Sequence, residues 1–308
     1  MILKSSTGRN EDLIVLQRLL EESNQDSIKK KITQEIKNIR AGERGEKESA
    51  YEIDFHFASS NNIAVIHDIR LEHNGFVAQI DHLWINRLMQ IYVCESKHFS
   101  EGISINDHGE FTAFYNKVPY GVPSPIEQNN RHIQILKNIF KDGSNLKIPM
   151  RLGMPIVPSF HSVILVSKNA RINRPQKHFA GLENIIKTDS IGSFLNKEEP
   201  TSGISGLFSV VNSVSKICSA ETIHALASDL VKLDKPIKFD WIGKFGMTND
   251  SIESPKPSDI YKSDEHKKTK LLCSKCETKV DYAVAKFCWF NKSRFGGNVF
   301  CRDCQISV

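Results

Sequence analysis

The chain has 308 residues, 40% of them hydrophobic and 25% charged, which is the profile of a soluble globular protein with room for one sizeable core plus a small module, or for two domains. The formal charge of +5, from 41 Lys+Arg against 36 Asp+Glu, is compatible with nucleic acid without arguing for it. The opening residues MILKSSTGRNEDLIVLQ lack an apolar stretch of secretory length, and no window approaches the roughly 18 continuous apolar residues of a membrane span, so neither a signal peptide nor a span is expected.

Residues 10–40 carry helical periodicity. Leu13, Leu16 and Leu20 form one stripe, and Ile28, Ile32, Ile36 and Ile39 recur every three or four positions, which predicts two packing helices. The glycines of AGERGE (41–46) are expected to break the pattern, with a further helix over 46–58 ending in SSNN. The period then changes to two. IAVIHDIRL (63–71), GFVAQIDHLWI (75–85) and MQIYVCESK (89–97) read as strands joined by short polar turns, with two short strands in GISIND and GEFTAFY. VPYGVPSP (118–125) reads as a Pro/Gly turn, and Pro125 suits the first turn of a helix through IEQNNRHIQILKNIF, with Ile133, Leu136 and Ile139 or Phe140 inward. FHSVILVS (160–167) is the uniformly apolar strand of a sheet interior. Beyond it, NKEEPTSGISG reads as a linker, SAETIHALASDLVKL as a serine-capped helix and ESPKPSD as a hinge. Helix, three strands, helix, strand describes an α/β fold with a mixed sheet flanked by helices, its first strands in a meander.

Seven cysteines are used unevenly. Cys94 and Cys218 stand alone, whereas CSKC (273–276) and CRDC (301–304) bracket Cys288 near the C-terminus. Two CxxC pairs in an odd total suggest metal ligation in a reducing, cytoplasmic setting rather than disulfides. Four thiolates from Cys273, Cys276, Cys301 and Cys304 suit a closed, structural Zn²⁺ site in a small ribbon of strands with too little core to fold alone. Cys288 reads as a core thiol or as a replacement ligand. Trp289, Phe290 and Phe295, beside Lys292 and Arg294, either stack on bases or fill the ribbon core.

The stretch VCESKHF (93–99) sets Glu95 and Lys97 two positions apart at the end of an apolar strand, hence on one face, with Cys94, Ser96 and His98 on the other. Asp81 lies in the preceding strand, separated from Glu95 by thirteen residues. If the two strands pair, two carboxylates and an amine converge. Burying them is costly unless a cation compensates, and Mg²⁺, with its preference for hard oxygen ligands, is the simplest solution. Surface strands also carry such residues with no chemical role.

GERGE at 42–46, VIHDI at 65–69, QIDHLWI at 79–85, ESKHFSEG at 95–102 and SPIEQNNRHIQIL at 124–136 occur in the order seen in the nuclease-related domain, NERD, which this segment of about residues 40–170 resembles. That family lies within the restriction-endonuclease-like PD-(D/E)xK nucleases. The resemblance implies a restriction-endonuclease-like mixed sheet. It implies that Asp81, Glu95 and Glu46 hold Mg²⁺ (or Mn²⁺), with Glu43 a weaker substitute for Glu46, that Lys97 is the catalytic lysine, and that Gln128 points into the cleft with His132 on the same helical face. His82 and His98 are expected to point away, His82 as a packing or a catalytic residue. The implied activity is metal-dependent hydrolysis of phosphodiesters in nucleic acid, DNA above all, in DNA processing or defence against foreign DNA. The alternative is a nucleic-acid-binding scaffold that keeps the fold without cutting. Segments of 1–40 (helical), 41–195 (nuclease-like), 196–265 (helical and linker) and 266–308 (zinc-ribbon-like) are expected, as is a protein partner or a homo-oligomer.

Overall fold

The chain opens with a short strand, β1 (Ile2–Lys4), followed by helices α1 (Asn10–Glu22) and α2 (Asp26–Phe57). The structure is a computed structural model that describes residues 1–151, 153–197, 217–247, 272–281, 284–285, 288 and 292–305. By internal contacts it divides into two units, Met1–Gly246 and Met247–Val308.

In the first unit, β2 (Ile63–His73), β3 (Phe76–Asn86) and β4 (Gln90–Lys97) form the expected antiparallel meander. Two later strands, β10 (Ser159–Val166) and β12 (Ile185–Lys187), extend it in parallel, and β1 adds to the opposite edge, also in parallel. The sheet order is therefore β1-β2-β3-β4-β10-β12. A second sheet comes from β5 (Ile103–Ile105), β6 (Phe111–Tyr115), β7 (Val118–Val122) and β11 (Ile172–Asn173), and a two-stranded hairpin from β8 (Met150–Arg151) and β9 (Met154–Pro155).

Helices cover both faces of the main sheet. On one face, Leu136 and Ile139 of α3 (Pro125–Asp142) and Leu226 and Leu230 of α5 (Ala220–Lys232) pack on Ile66, Ile80, Leu83 and Val93. On the other, Ile53 and Phe57 of α2 meet Val65, Trp84, Tyr92 and Cys94, next to Ile191 at the start of α4 (Ile191–Lys197). Each face of β3 and β4 is apolar because each is covered. Ser124 caps α3, its hydroxyl accepting from Glu127 N, with Pro125 in the first turn, and Ser219 caps α5 in the same way through Thr222 N. A short helix, α6 (Trp241–Phe245), closes the unit.

Two expectations fail. AGERGE does not break a helix: α2 runs unbroken for 32 residues through Gly42 and Gly45. Glycine in a helix costs roughly 1 kcal/mol relative to alanine, and packing explains it at position 45. A Cβ there would lie 2.8 Å from His98 Cβ, so only glycine lets the helix approach the chain leaving β4. VPYGV is a strand rather than a turn, paired antiparallel with β6. It is the edge strand of its sheet, where Pro119 is tolerated because an edge need not donate every N–H.

In the second unit the described residues contain a bridge between Leu272 and Lys279 and two short helices, α7 (Lys292–Phe295) and α8 (Arg302–Gln305). Cys273, Val280 and Ala285 make up its small buried core. Of the expected linker NKEEPTSGISG (196–206), Asn196 and Lys197 instead end α4, and 198–206, the hinge ESPKPSD, Trp289 and Phe290 lie outside the described residues.

Candidate active site and cysteine centre

Strand pairing brings the acids and the lysine together. β3 and β4 pair with His82 opposite Cys94, which sets Asp81 beside the end of β4. There Asp81 Oδ2 accepts from Ser96 N at 2.8 Å. Glu95 is 3% exposed. Its Oε1 accepts from Lys97 Nζ at 2.6 Å and from Gln128 Nε2 at 2.8 Å, while Gln128 Oε1 in turn accepts from Lys97 Nζ at 3.1 Å. Glu95, Lys97 and Gln128 thus close a three-membered ring of hydrogen bonds, with α3 supplying its glutamine from the second turn.

Glu95 Oε2 faces the opposite way. It is buried without a hydrogen-bond partner, as is His132 Nδ1, and the two lie 3.7 Å apart. They do not form an ion pair, because burial, then Arg131 and Lys97, hold the His132 imidazole neutral with a pKa of about 4. An orphaned carboxylate oxygen in a dry site is costly, and its chemistry fits a hard cation.

Burial shifts all three acids in the same direction. Burial pushes Asp81 well above the ordinary range, with Glu95 and Glu46 adding to the rise and the Ser96 amide and Lys97 opposing it. Burial also raises Glu95, against Lys97 and Gln128. Glu46, on the inward side of α2, is raised by burial, then by Asp68 and Glu43, with a smaller rise from Glu95. These mutual effects place Glu46, Asp81 and Glu95 in one neighbourhood. Among the described residues, however, only Cys273, Cys276, Cys301 and Cys304 come close enough to share one ion as they stand, so the three acids do not form a ready-closed cage.

Several contributors escaped the sequence. Asp68 lies between the His67–His82 and Ile69–Ile80 pairs of β2 and β3 with φ of +52°, a left-handed residue inside a strand. Its backbone oxygen accepts from Lys4 Nζ, and its carboxylate accepts from Thr7 Oγ1 at 3.0 Å and Gln79 Nε2 at 2.7 Å. Alternation breaks there, since Ile66 and Ile69, and likewise Ile80 and Leu83, face the same core. A lone aspartate in an apolar strand was the available signal. Asn129 is fully buried and fastens α3 to the sheet, donating to Val93 O at 2.7 Å and Ser162 Oγ at 2.8 Å. Ser96, expected on the opposite face from Glu95 and Lys97, contributes its backbone amide to Asp81. Glu43 is committed elsewhere, capping the start of α1 by accepting from Arg9 N at 2.5 Å and pairing with Lys47.

The two histidines differ. His82 is buried against the far face, 2.8 Å from His67 Nδ1 through its own Nδ1, while His67 Nε2 reaches Asp54 Oδ1 at 2.9 Å. Burial, then His67, drives its pKa well below the usual value. His98 packs on Gly45 and shares a hydrogen bond with Ser167 Oγ at 2.9 Å.

In the C-terminal unit the four sulfurs of the CxxC pairs lie within 4.8 Å of one another, Cys276 and Cys301 at 3.6 Å. Burial pushes the Cys273 thiol up, but hydrogen bonds from the amides of Cys301, Lys275 and Cys276 outweigh it and bring it down to about 6. Cys304 is driven up to about 12 by its hydrogen bond with Cys301, then by burial and the other thiols. Four crowded thiols cannot all ionise without a cation among them, so the donor set fits a metal. Cys288 stands apart, fully buried, its sulfur accepting from Phe300 N at 3.4 Å and Gln305 Nε2 at 3.3 Å. Phe295 is buried as well, which removes it as an exposed stacking residue.

The first unit is thus a mixed sheet flanked by helices, with two acids and a lysine gathered at adjoining strand ends. Residues 41–167 match the family model of the nuclease-related domain, NERD, and the match takes in Glu46, Asp81, Glu95, Lys97 and Gln128. No curated protein and no solved structure matches the chain. Among the described residues no helix is long and apolar enough to cross a membrane.

Proposed function

We propose that this protein is a Mg²⁺-dependent nuclease of the PD-(D/E)xK type that hydrolyses phosphodiester bonds in DNA, serving DNA processing or defence against foreign DNA. The observation that carries this reading is the buried Glu95 carboxylate. One oxygen is fixed by Lys97 and Gln128, and the other has no partner, inside a domain that matches a nuclease-related family.

Asp81, Glu95 and Glu46 would hold Mg²⁺ or Mn²⁺. When bound, such an ion polarises the scissile phosphate and acidifies a coordinated water. The Ser96 amide fixes the rotamer of Asp81, and Gln128 holds Lys97 at the acid pair. Lys97, released in part from Glu95, orients the attacking water and offsets the charge that develops on the phosphoryl oxygens. Neutral His132 keeps a competing positive charge away from Glu95 Oε2.

The C-terminal cysteines would hold a structural Zn²⁺. Four thiolates in a tetrahedron at ~2.3 Å from the ion lie about 3.8 Å apart, close to the Cys276–Cys301 spacing of 3.6 Å, and they leave no position open for substrate.

A second reading, a nucleic-acid-binding scaffold, draws on the short Lys97–Glu95 ion pair and on the unclosed acid cage. The two separate on incubating labelled linear and circular DNA with wild-type protein and Lys97→Ala, in Mg²⁺, Mn²⁺ or EDTA. Cleavage lost on chelation and on substitution supports the nuclease. Binding of DNA with no cleavage by the wild type supports the scaffold, and cleavage that survives both treatments removes the site assignment.

A further inference from the structure

The hairpin of β6 and β7 rises from the rim of the acid centre and has more apolar surface than its own core needs. Phe111, Ala113 and Tyr115 alternate onto one face of β6. The pairs Phe111–Val122, Ala113–Tyr120 and Tyr115–Val118 set Val122, Tyr120 and Val118 on the same face of β7. At the base this face is buried, with Phe111 and Val122 packed against Phe99 and Ile126, two residues beyond Lys97 and two before Gln128. Towards the tip the face continues without cover: Tyr115, Val118 and Tyr120 are 67%, 64% and 50% exposed.

The tip is held rigidly. Asn116 and Lys117 have φ of +50° and +64°, the left-handed pair of a type I′ turn, where Gly or Asn is the favoured second residue and lysine is not. Glu101, four residues past Lys97 in the chain, offsets that cost by accepting from Asn116 N at 2.6 Å and Lys117 N at 2.8 Å. The turn is thereby tied to the loop that follows the catalytic strand, and the unfavourable residue it retains is a cation. Further exposed cations stand nearby in the fold: Arg131 lies one turn past Gln128, and Lys168 and Arg171 follow β10, whose last residue pairs with Lys97.

We infer that the Tyr115–Tyr120 face is a stacking platform for an unpaired nucleic-acid strand, presenting single-stranded or strand-separated substrate to the acid centre; this rests on the nuclease reading above. Tyr115 and Tyr120 lie diagonally across the hairpin, about 7–8 Å apart at the backbone, which leaves room for a planar base between or upon the rings. Base faces are open in single strands and covered within a duplex, so aromatic side chains of this kind select unpaired strands. Lys117 at the tip and the rim cations supply the phosphate contacts.

The test is binding of a fluorescein-labelled oligonucleotide, single-stranded and as a duplex, to the full-length chain carrying Asp81→Asn so that no strand is cut. Single-strand affinity is expected to exceed duplex affinity. Tyr115→Ala/Tyr120→Ala should weaken single-strand binding about 10–100-fold with little change for duplex, and Tyr115→Phe/Tyr120→Phe should retain it. Lys117→Glu should weaken both forms and flatten the salt dependence. Equal affinity for the two forms, an alanine pair that binds as well as its parent at the same thermal midpoint, or a change in oligomeric state rather than in binding would each overturn the platform. Failure of the wild type to cleave while stacking persists removes the nuclease reading and leaves the platform standing.

Discussion

The acid centre and the cysteine cluster both gather ionisable groups that repel one another, and they are built by opposite means. The acid centre sits on a sheet held by helices on each face, and its carboxylates are posed by parts that exist without any ion: the Ser96 amide, Gln128, and the Asn129 clamp between α3 and the strands. The cysteine cluster has Cys273, Val280 and Ala285 for a core, and in that unit the cluster is the organiser. On the proposed reading, a cation is a working part in the first and a structural one in the second. Removing it should therefore cost activity in one unit and folding in the other.

The largest expected effect lies in the first unit. Glu95→Gln and Lys97→Ala should each lower cleavage roughly 10²–10⁴-fold, with circular dichroism unchanged, because the scaffold does not depend on either charge. A global loss of structure would erase the contrast between the units. Next, Cys276→Ser or Cys301→Ser should abolish bound zinc and expose residues 272–305 to protease, with the thermal transition of Met1–Gly246 unmoved. Cys288→Ala should keep the zinc, since its sulfur is bonded to Phe300 and Gln305. Metal analysis paired with limited proteolysis reads both.

A smaller effect sharpens the idea that the acids are posed at a cost. The folded pKa of Asp81 lies above its unfolded value. The unfolded chain then ionises first as pH rises through about 4, and stability contributed in acid is lost above it. Asp81→Asn should accordingly raise stability at pH 7 while abolishing cleavage, read as an increased midpoint in urea. Histidine runs the other way. His132, at about 4 when folded against about 6.5 unfolded, stabilises the protein at neutral pH. That contribution is lost as pH falls through 6.5 towards 4, and His82 acts in the same sense. His132→Gln should flatten the fall by about 2 kcal/mol between pH 7 and 5.

Period and polarity made most of the frame legible: the three meander strands, the buried strand at 160–166 and the capped helices all read directly from the sequence. The acid–lysine spacing pointed to the place where the chemistry is proposed to occur. What stayed hidden was tertiary in origin. Gly45 reads locally as a breaker because the contact that requires it, His98, is 53 positions away in the sequence. Pro119 reads as a turn because edge-strand status depends on which strand lies beyond it. Asp68 gave no periodic signal, since its left-handed backbone departs from the strand pattern on which the reading rests. Ser96 works through its amide, which every residue possesses, so no side-chain motif could reveal it.

The unbroken α2 has a mechanical consequence. At 1.5 Å per residue its 32 residues form a strut about 48 Å long, with Glu46 on its inward side and Gly45, seated on His98, as the fulcrum. The approach of Glu46 to Asp81 and Glu95 is therefore set by the tilt of a whole rod rather than by a local loop. A methyl group at position 45 would lift the rod at its pivot, and a load on its N-terminal end at Asp26, about 30 Å from Glu46 by the same rise, would be felt at Glu46 as leverage.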